Sequence, residues 1–150
     1  MVSQVQTPPI YSPEDYLALE IASETRNEYI NGEIIPMAGG MPNHNQIALN
    51  IAGTLNFLLK RQPYRVFVTD QRLWIAQYRV YTYPDVMVVS GDLFLQEGRK
   101  DTITNPTLII EVLSKSTGSF DRDKKFNFYR SLPSFPVSYT HLRAHETKAN

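Results

Sequence analysis

The chain of 150 residues contains no cysteine, so disulfides and thiolate metal sites are excluded. It has a single tryptophan and three histidines. It has no net charge, with 15 basic and 15 acidic residues. Overall charge therefore does not mark a nucleic-acid binder, and any such role must come from a local patch. No apolar run reaches the roughly 18 residues of a membrane span. Met1 to Pro9 is polar and lacks the apolar segment of a signal peptide. A cytoplasmic protein without membrane partners is the expectation. What is present is 42% hydrophobic residues, enough for one domain with a real core.

Ser12 is a good N-cap, Pro13 suits a first helical position, and Glu14 and Asp15 suit a first turn. A helix is expected there. Asn31-Gly32 between Tyr29-Ile30 and Ile34-Ile35 predicts a hairpin. Ile47, Ala48, Ile51, Ala52, Leu55, Leu58 and Leu59 recur at helical spacing and predict a second helix over about 44–61. Residues 65–89 read as strands, including Val66-Phe67-Val68, Leu73-Trp74-Ile75 and Val86 to Val89. Gly91 to Pro106 reads as loop and Thr107 to Leu113 as a buried strand. Ser114 to Ser119 reads as a turn, and Phe120 to Leu132 as a third helix.

The informative residues are carboxylates where a hydrophobe would be cheaper. Strand alternation puts Glu111 on one face with Ile109 and Leu113, while Leu108, Ile110 and Val112 face the other way. Both faces are apolar, so the strand is covered on both sides. An unpaired buried carboxylate costs several kcal/mol or takes up a proton. Asp85 repeats the pattern beside Met87 and Val89, after Pro84 at the strand start. Two such carboxylates suit Mg2+ or Mn2+, which prefer oxygen ligands and bridge to phosphates. The blander alternatives are a solvated strand cap for Asp85 and a salt bridge to a helix lysine for Glu111.

Lys125 is the candidate to stabilise charge on a phosphate. It sits four residues before Tyr129, on the helix that follows the Glu111 strand. Residues 115–130 hold five basic against two acidic residues, interleaved with Phe126, Phe128 and Tyr129. Such a segment suits a phosphate backbone, and it equally suits a solvated helix face.

Together these pieces resemble the Uma-two family of restriction-type endonucleases, a bacterial branch of the PD-(D/E)XK nuclease superfamily. The matching stretches are NEYINGEIIPM at 27–37, His44 in PNHNQI, YPDVMVV at 83–89, PTLIIEVLSKST at 106–117 and FDRDKKFNFYRSLPSF at 120–135. The resemblance covers about residues 11–135. It implies an α/β fold, a restriction-endonuclease-like central mixed β-sheet flanked by α-helices. It implies Asp85 and Glu111 as the metal pair, Lys125 as the catalytic lysine and Glu28 as a supplementary acidic residue. His44 and Asp121 match family positions as accessory residues. Histidine at a helix start is also a common capping or packing residue, and Asp121 equally suits a helix N-terminus. Glu33 could approach the site or stay exposed on its strand.

The superfamily usually places lysine two residues after the second carboxylate, where this chain has Leu113. The implied function is Mg2+- or Mn2+-dependent hydrolysis of DNA, with a homodimer as a further partner arrangement. The alternative is a catalytically inactive nuclease-fold module that binds DNA or protein. A glycosidase-like carboxylate pair ranks last, because nothing puts Trp74 or the tyrosines in a sugar cleft.

Residues 136–150 (PVSYTHLRAHETKAN) depart from the family pattern and resemble translated adapter sequence. The expectation is one nuclease-like domain over 1–135, incomplete at its C-terminus, with an exposed sheet edge and a foreign tail. His141 and His145, at i and i+4, fall in that tail and are set aside as a metal pair.

Overall fold

The computed structural model describes residues 7, 9–113, 119–134 and 139–143, with side chains from 119–122 and 139–143 left out of the description. The expected turn over 114–118 lies outside the described residues. The chain is mixed α/β, as expected. Its order is α1 (Pro13–Ala22), β1 (Asn27–Ile30), β2 (Glu33–Pro36), α2 (Pro42–Leu58), β3 (Tyr64–Val68), β4 (Arg72–Ile75), β5 (Val80–Thr82), β6 (Val86–Ser90), β7 (Thr102–Ile103), β8 (Leu108–Leu113), α3 (Ser119–Arg130) and β9 (Tyr139–Arg143).

The strands hydrogen-bond as two mixed ladders. One has the order β2-β1-β5-β4-β7 and the other β3-β6-β8-β9. Among the described residues, only β4–β7 and β8–β9 are parallel pairs. The chain passes between ladders at 69–71 and again at 83–85. Pro84 has no N–H to give a ladder, and β5 ends before it while β6 starts after Asp85. Asp85 therefore sits at the seam between the two ladders.

Local signals explain most elements. Ser12 caps α1 through a reciprocal box: its Oγ accepts from Asp15 N at 3.0 Å, and Asp15 Oδ2 accepts from Ser12 N at 3.0 Å. The Ser12 backbone N–H, and after it the Ser12 hydroxyl, hold the exposed Asp15 carboxyl below its ordinary range. Ser12→Ala should cost about 1 kcal/mol in urea unfolding. It should leave the carboxylate site untouched, because α1 contributes no side chain there.

Asn31 and Gly32 both have positive φ, 43° and 102°, as a tight turn matched to strand twist requires. A Cβ on Gly32 would also meet Ile10 Cγ2 at 2.8 Å. The second helix starts at Pro42, slightly before the expected residue 44, because proline serves as its first helical residue.

Among the described residues the core has three parts. Tyr16, Tyr29 and Tyr81 form a fully buried aromatic cluster under α1. Each hydroxyl finds a partner: Tyr16 donates to Asn27 O, Tyr29 donates to Tyr11 O, and Tyr81 pairs with Gln96. Trp74 lies tilted against Tyr81 at 4.2 Å between ring centroids, within this cluster rather than on a cleft wall. Val86 and Ile110 pack on Ala52 of α2. On the opposite face, Met87, Val89 and Ile109 pack with Phe128, Tyr129 and Leu132 from α3 and the turn after it. β6 and β8 are thus covered on both sides, as their two apolar faces predicted.

Two features differ from expectation. Thr102–Ile103 form a short strand inside the expected loop, because β4 offers an open parallel edge there. Tyr139–Arg143 form β9 beside β8, where an exposed edge was expected. An unpaired strand edge accepts almost any extended segment, since pairing uses backbone groups.

Candidate functional site

The register of β6 and β8 brings the two carboxylates together. Val86 pairs with Ile110 and Met87 with Ile109. One step further along the same antiparallel register, Asp85 comes opposite Glu111, on the face covered by α3. Directly opposed residues hold their Cβ atoms about 4.5–5.5 Å apart. Asp85 is 8% exposed and Glu111 7%.

Each carboxylate is gripped by one oxygen. Asp85 Oδ2 accepts from Val112 N at 2.8 Å and faces His44 Nε2 at 3.1 Å. Glu111 Oε1 accepts from the Tyr129 hydroxyl at 2.5 Å, with Lys125 Nζ at 3.8 Å. The two carboxyls also hydrogen-bond to each other when one of them carries a proton. Lys125 Nζ also pairs with Glu28 Oε1 at 3.1 Å. Glu28 is fixed across the strands, since Thr82 Oγ1 donates to its Oε1 at 2.6 Å.

The site thus draws Glu28 from β1, His44 from α2, Asp85 from the seam, Glu111 from β8 and Lys125 from α3. The seam explains why so many elements meet here. Glu33 stays exposed at the turn end of β2. The Asp121 side chain, and those of Lys115 and Arg122, lie outside the described residues. Lys125, the basic residue of interest on α3, points at carboxylates.

Sequence reasoning missed three contributors. Thr82 and Tyr129 left only the spacing Lys125–Tyr129 as a signal, which puts both on one helix face. The third is a polar cluster beside the site. Arg72, 9% exposed, donates from Nε to Tyr83 OH at 3.0 Å, and Tyr83 donates to Glu20 Oε1 at 3.0 Å. Glu20 also accepts from Asn27 N and Nδ2, which fixes the strand residue before Glu28. An arginine opening the apolar strand RLWI was the available clue.

Burial pushes the Glu111 carboxyl up to about 7; Lys125 opposes this, and the neighbouring Asp85 adds to it. Between the ordinary carboxyl range and about 7, the folded chain holds a proton that the unfolded chain has released. Stability supplied by that proton is present at low pH and lost as pH rises through about 7. Without divalent ions, urea unfolding should show a loss on the order of 2 kcal/mol between pH 5.5 and 8. Glu111→Gln should flatten that decline. An equally steep decline in Glu111→Gln would assign the proton elsewhere.

The family model "Uma2: Putative restriction endonuclease" matches residues 13–137. The chain belongs to this family. It is 42% identical over 129 residues to the uncharacterized protein sll1609 of Synechocystis sp., covering 86% of this chain and 73% of that one. It is 35% identical over 127 residues to slr1290 of the same organism, covering 83% of this chain and 65% of that one. A solved structure from Anabaena variabilis, described as "a putative nuclease belonging to DUF820", superposes with a TM-score of 0.71. It is 22% identical and covers 89% of this chain and 74% of its own. At that identity the likeness is one of fold. Family and fold together make the chain a restriction-endonuclease-like protein. No helix among the described residues is long and apolar enough to cross a membrane.

Proposed function

We propose that the chain hydrolyses DNA phosphodiester bonds, with Mg2+ or Mn2+ held by Asp85 and Glu111. The observation that carries this reading is the buried carboxylate pair with one oxygen of each gripped by the protein. Two like charges in a poorly solvated seam repel, and one lysine is shared with a third carboxylate, Glu28. A divalent cation relieves that imbalance.

The donor set fits such an ion. Mg2+ binds through one or two carboxylates, keeps waters and takes phosphate oxygens as further ligands. Among the described residues no group of three or more His, Asp and Glu closes a cage, so the arrangement does not suit structural zinc. Bound there, the ion would supply Lewis acidity to the scissile phosphate and to a water.

The chain's own residues do the rest. Val112 N and His44 fix the orientation of Asp85. Thr82 and Glu28 hold Lys125 beside Glu111, where its ammonium meets negative charge developing on a phosphate. Leu113, standing where the superfamily has lysine, is the feature that favours a non-catalytic module. Lys125 answers it, because its Nζ reaches within 3.8 Å of Glu111 from another element.

The test is incubation of the purified chain with supercoiled plasmid. Nicking with Mg2+ or Mn2+, and none in EDTA, is the expected result. Plasmid retention without nicking would favour the binding module, and cleavage unaffected by EDTA would refute a metal mechanism.

A further inference from the structure

Among the described residues, Tyr129 is a fully buried group at the site that the proposed chemistry leaves without a role. It lies on α3 one turn after Lys125, its ring packed in the core with Met87, Val89 and Ile109. Its hydroxyl donates to Glu111 Oε1 at 2.5 Å, while Lys125 Nζ stands 3.8 Å from the same oxygen. The lysine is beyond hydrogen-bond range, so the phenol is the closer donor.

The geometry points to Tyr129 as a positioning residue that pins Glu111 Oε1 and presents Oε2 to a hard divalent cation. This rests on the reading of Asp85 and Glu111 as the metal pair. The terminal torsion of a glutamate is broad, so an unpinned carboxylate samples many orientations. A donor on a rigid, fully buried ring removes that freedom. Asp85 is treated alike, with its Oδ2 pinned by the main-chain Val112 N–H. The two pins come from different elements, and each fixes one oxygen of its carboxylate. Partners that orient ligating side chains typically contribute 10- to 100-fold in metal affinity.

A tyrosine that only filled the core would act on stability alone. The test is therefore calorimetric titration of Mn2+ into the full chain, comparing wild type, Tyr129→Phe, Ser12→Ala and Asp85→Ala. Tyr129→Phe keeps the ring and removes the hydroxyl. It should weaken Mn2+ binding by about 10-fold. Ser12→Ala, destabilised far from the site, should bind Mn2+ like wild type.

Binding lost in Asp85→Ala but unchanged in Tyr129→Phe would overturn the positioning role and leave the metal pair standing. No binding by wild type, or full binding by Asp85→Ala, would overturn the metal pair and this role with it. If Tyr129→Phe does not fold, wild type with 13Cζ-labelled tyrosine gives the answer. The Tyr129 resonance should shift on Mg2+ addition, and an unmoved resonance would overturn the role.

Discussion

Asp85→Ala should lower Mg2+-dependent plasmid nicking by at least about 10³-fold. Asp85 enters from the seam, opposite Glu111, and no other carboxylate among the described residues shares that position. The variant should still fold. Val112 N–H loses its acceptor, which costs about 1–3 kcal/mol. Relief of repulsion against Glu111 offsets part of that cost, because Asp85 is one of the groups that raise the Glu111 pKa. Circular dichroism and a urea midpoint near wild type would accompany the lost activity. Activity within a few fold of wild type would move the chemistry away from this seam.

Lys125→Met should produce the second large effect, and on two observables. It removes the only cation the described structure puts within 4 Å of both Glu28 and Glu111. Nicking should fall by about 10²–10³-fold, as expected for loss of one charge-stabilising group. Stability should fall by about 2–3 kcal/mol at pH 8, below the usual cost of breaking a fully buried pair because the lysine keeps partial contact with water. At pH 6 the loss should shrink, since Glu111 then carries a proton and no longer needs a counter-charge. Equal destabilisation at both pH values would mean that Lys125 acts through packing of its stem.

Much of this was legible in local sequence. Ser12, Asn31-Gly32 and Pro42 mark element starts through backbone chemistry that operates within a few residues. The alternation around Glu111 and Asp85 correctly put both acids on the face of Ile109 and Met87. What alternation cannot supply is register. That Asp85 falls opposite Glu111, and not Ile109, depends on how β6 slides along β8.

Tyr129 and Thr82 were hidden for a related reason. Their hydroxyls meet carboxylates 18 and 54 residues away in sequence. β7 and β9 form through partners' open edges, with little signal of their own. Arg72 opens an otherwise apolar strand, but its partners Tyr83 and, through it, Glu20 are set only by the fold.

The central claim is that one divalent ion sits between Asp85 and Glu111. Substoichiometric Mn2+ in an amide NMR spectrum tests it most directly, because the paramagnetic ion broadens its neighbours first. Broadening led by Val86, Glu111 and Val112 is the predicted result. Broadening led by amides elsewhere in the chain, with those of Val86, Glu111 and Val112 still sharp, would contradict it.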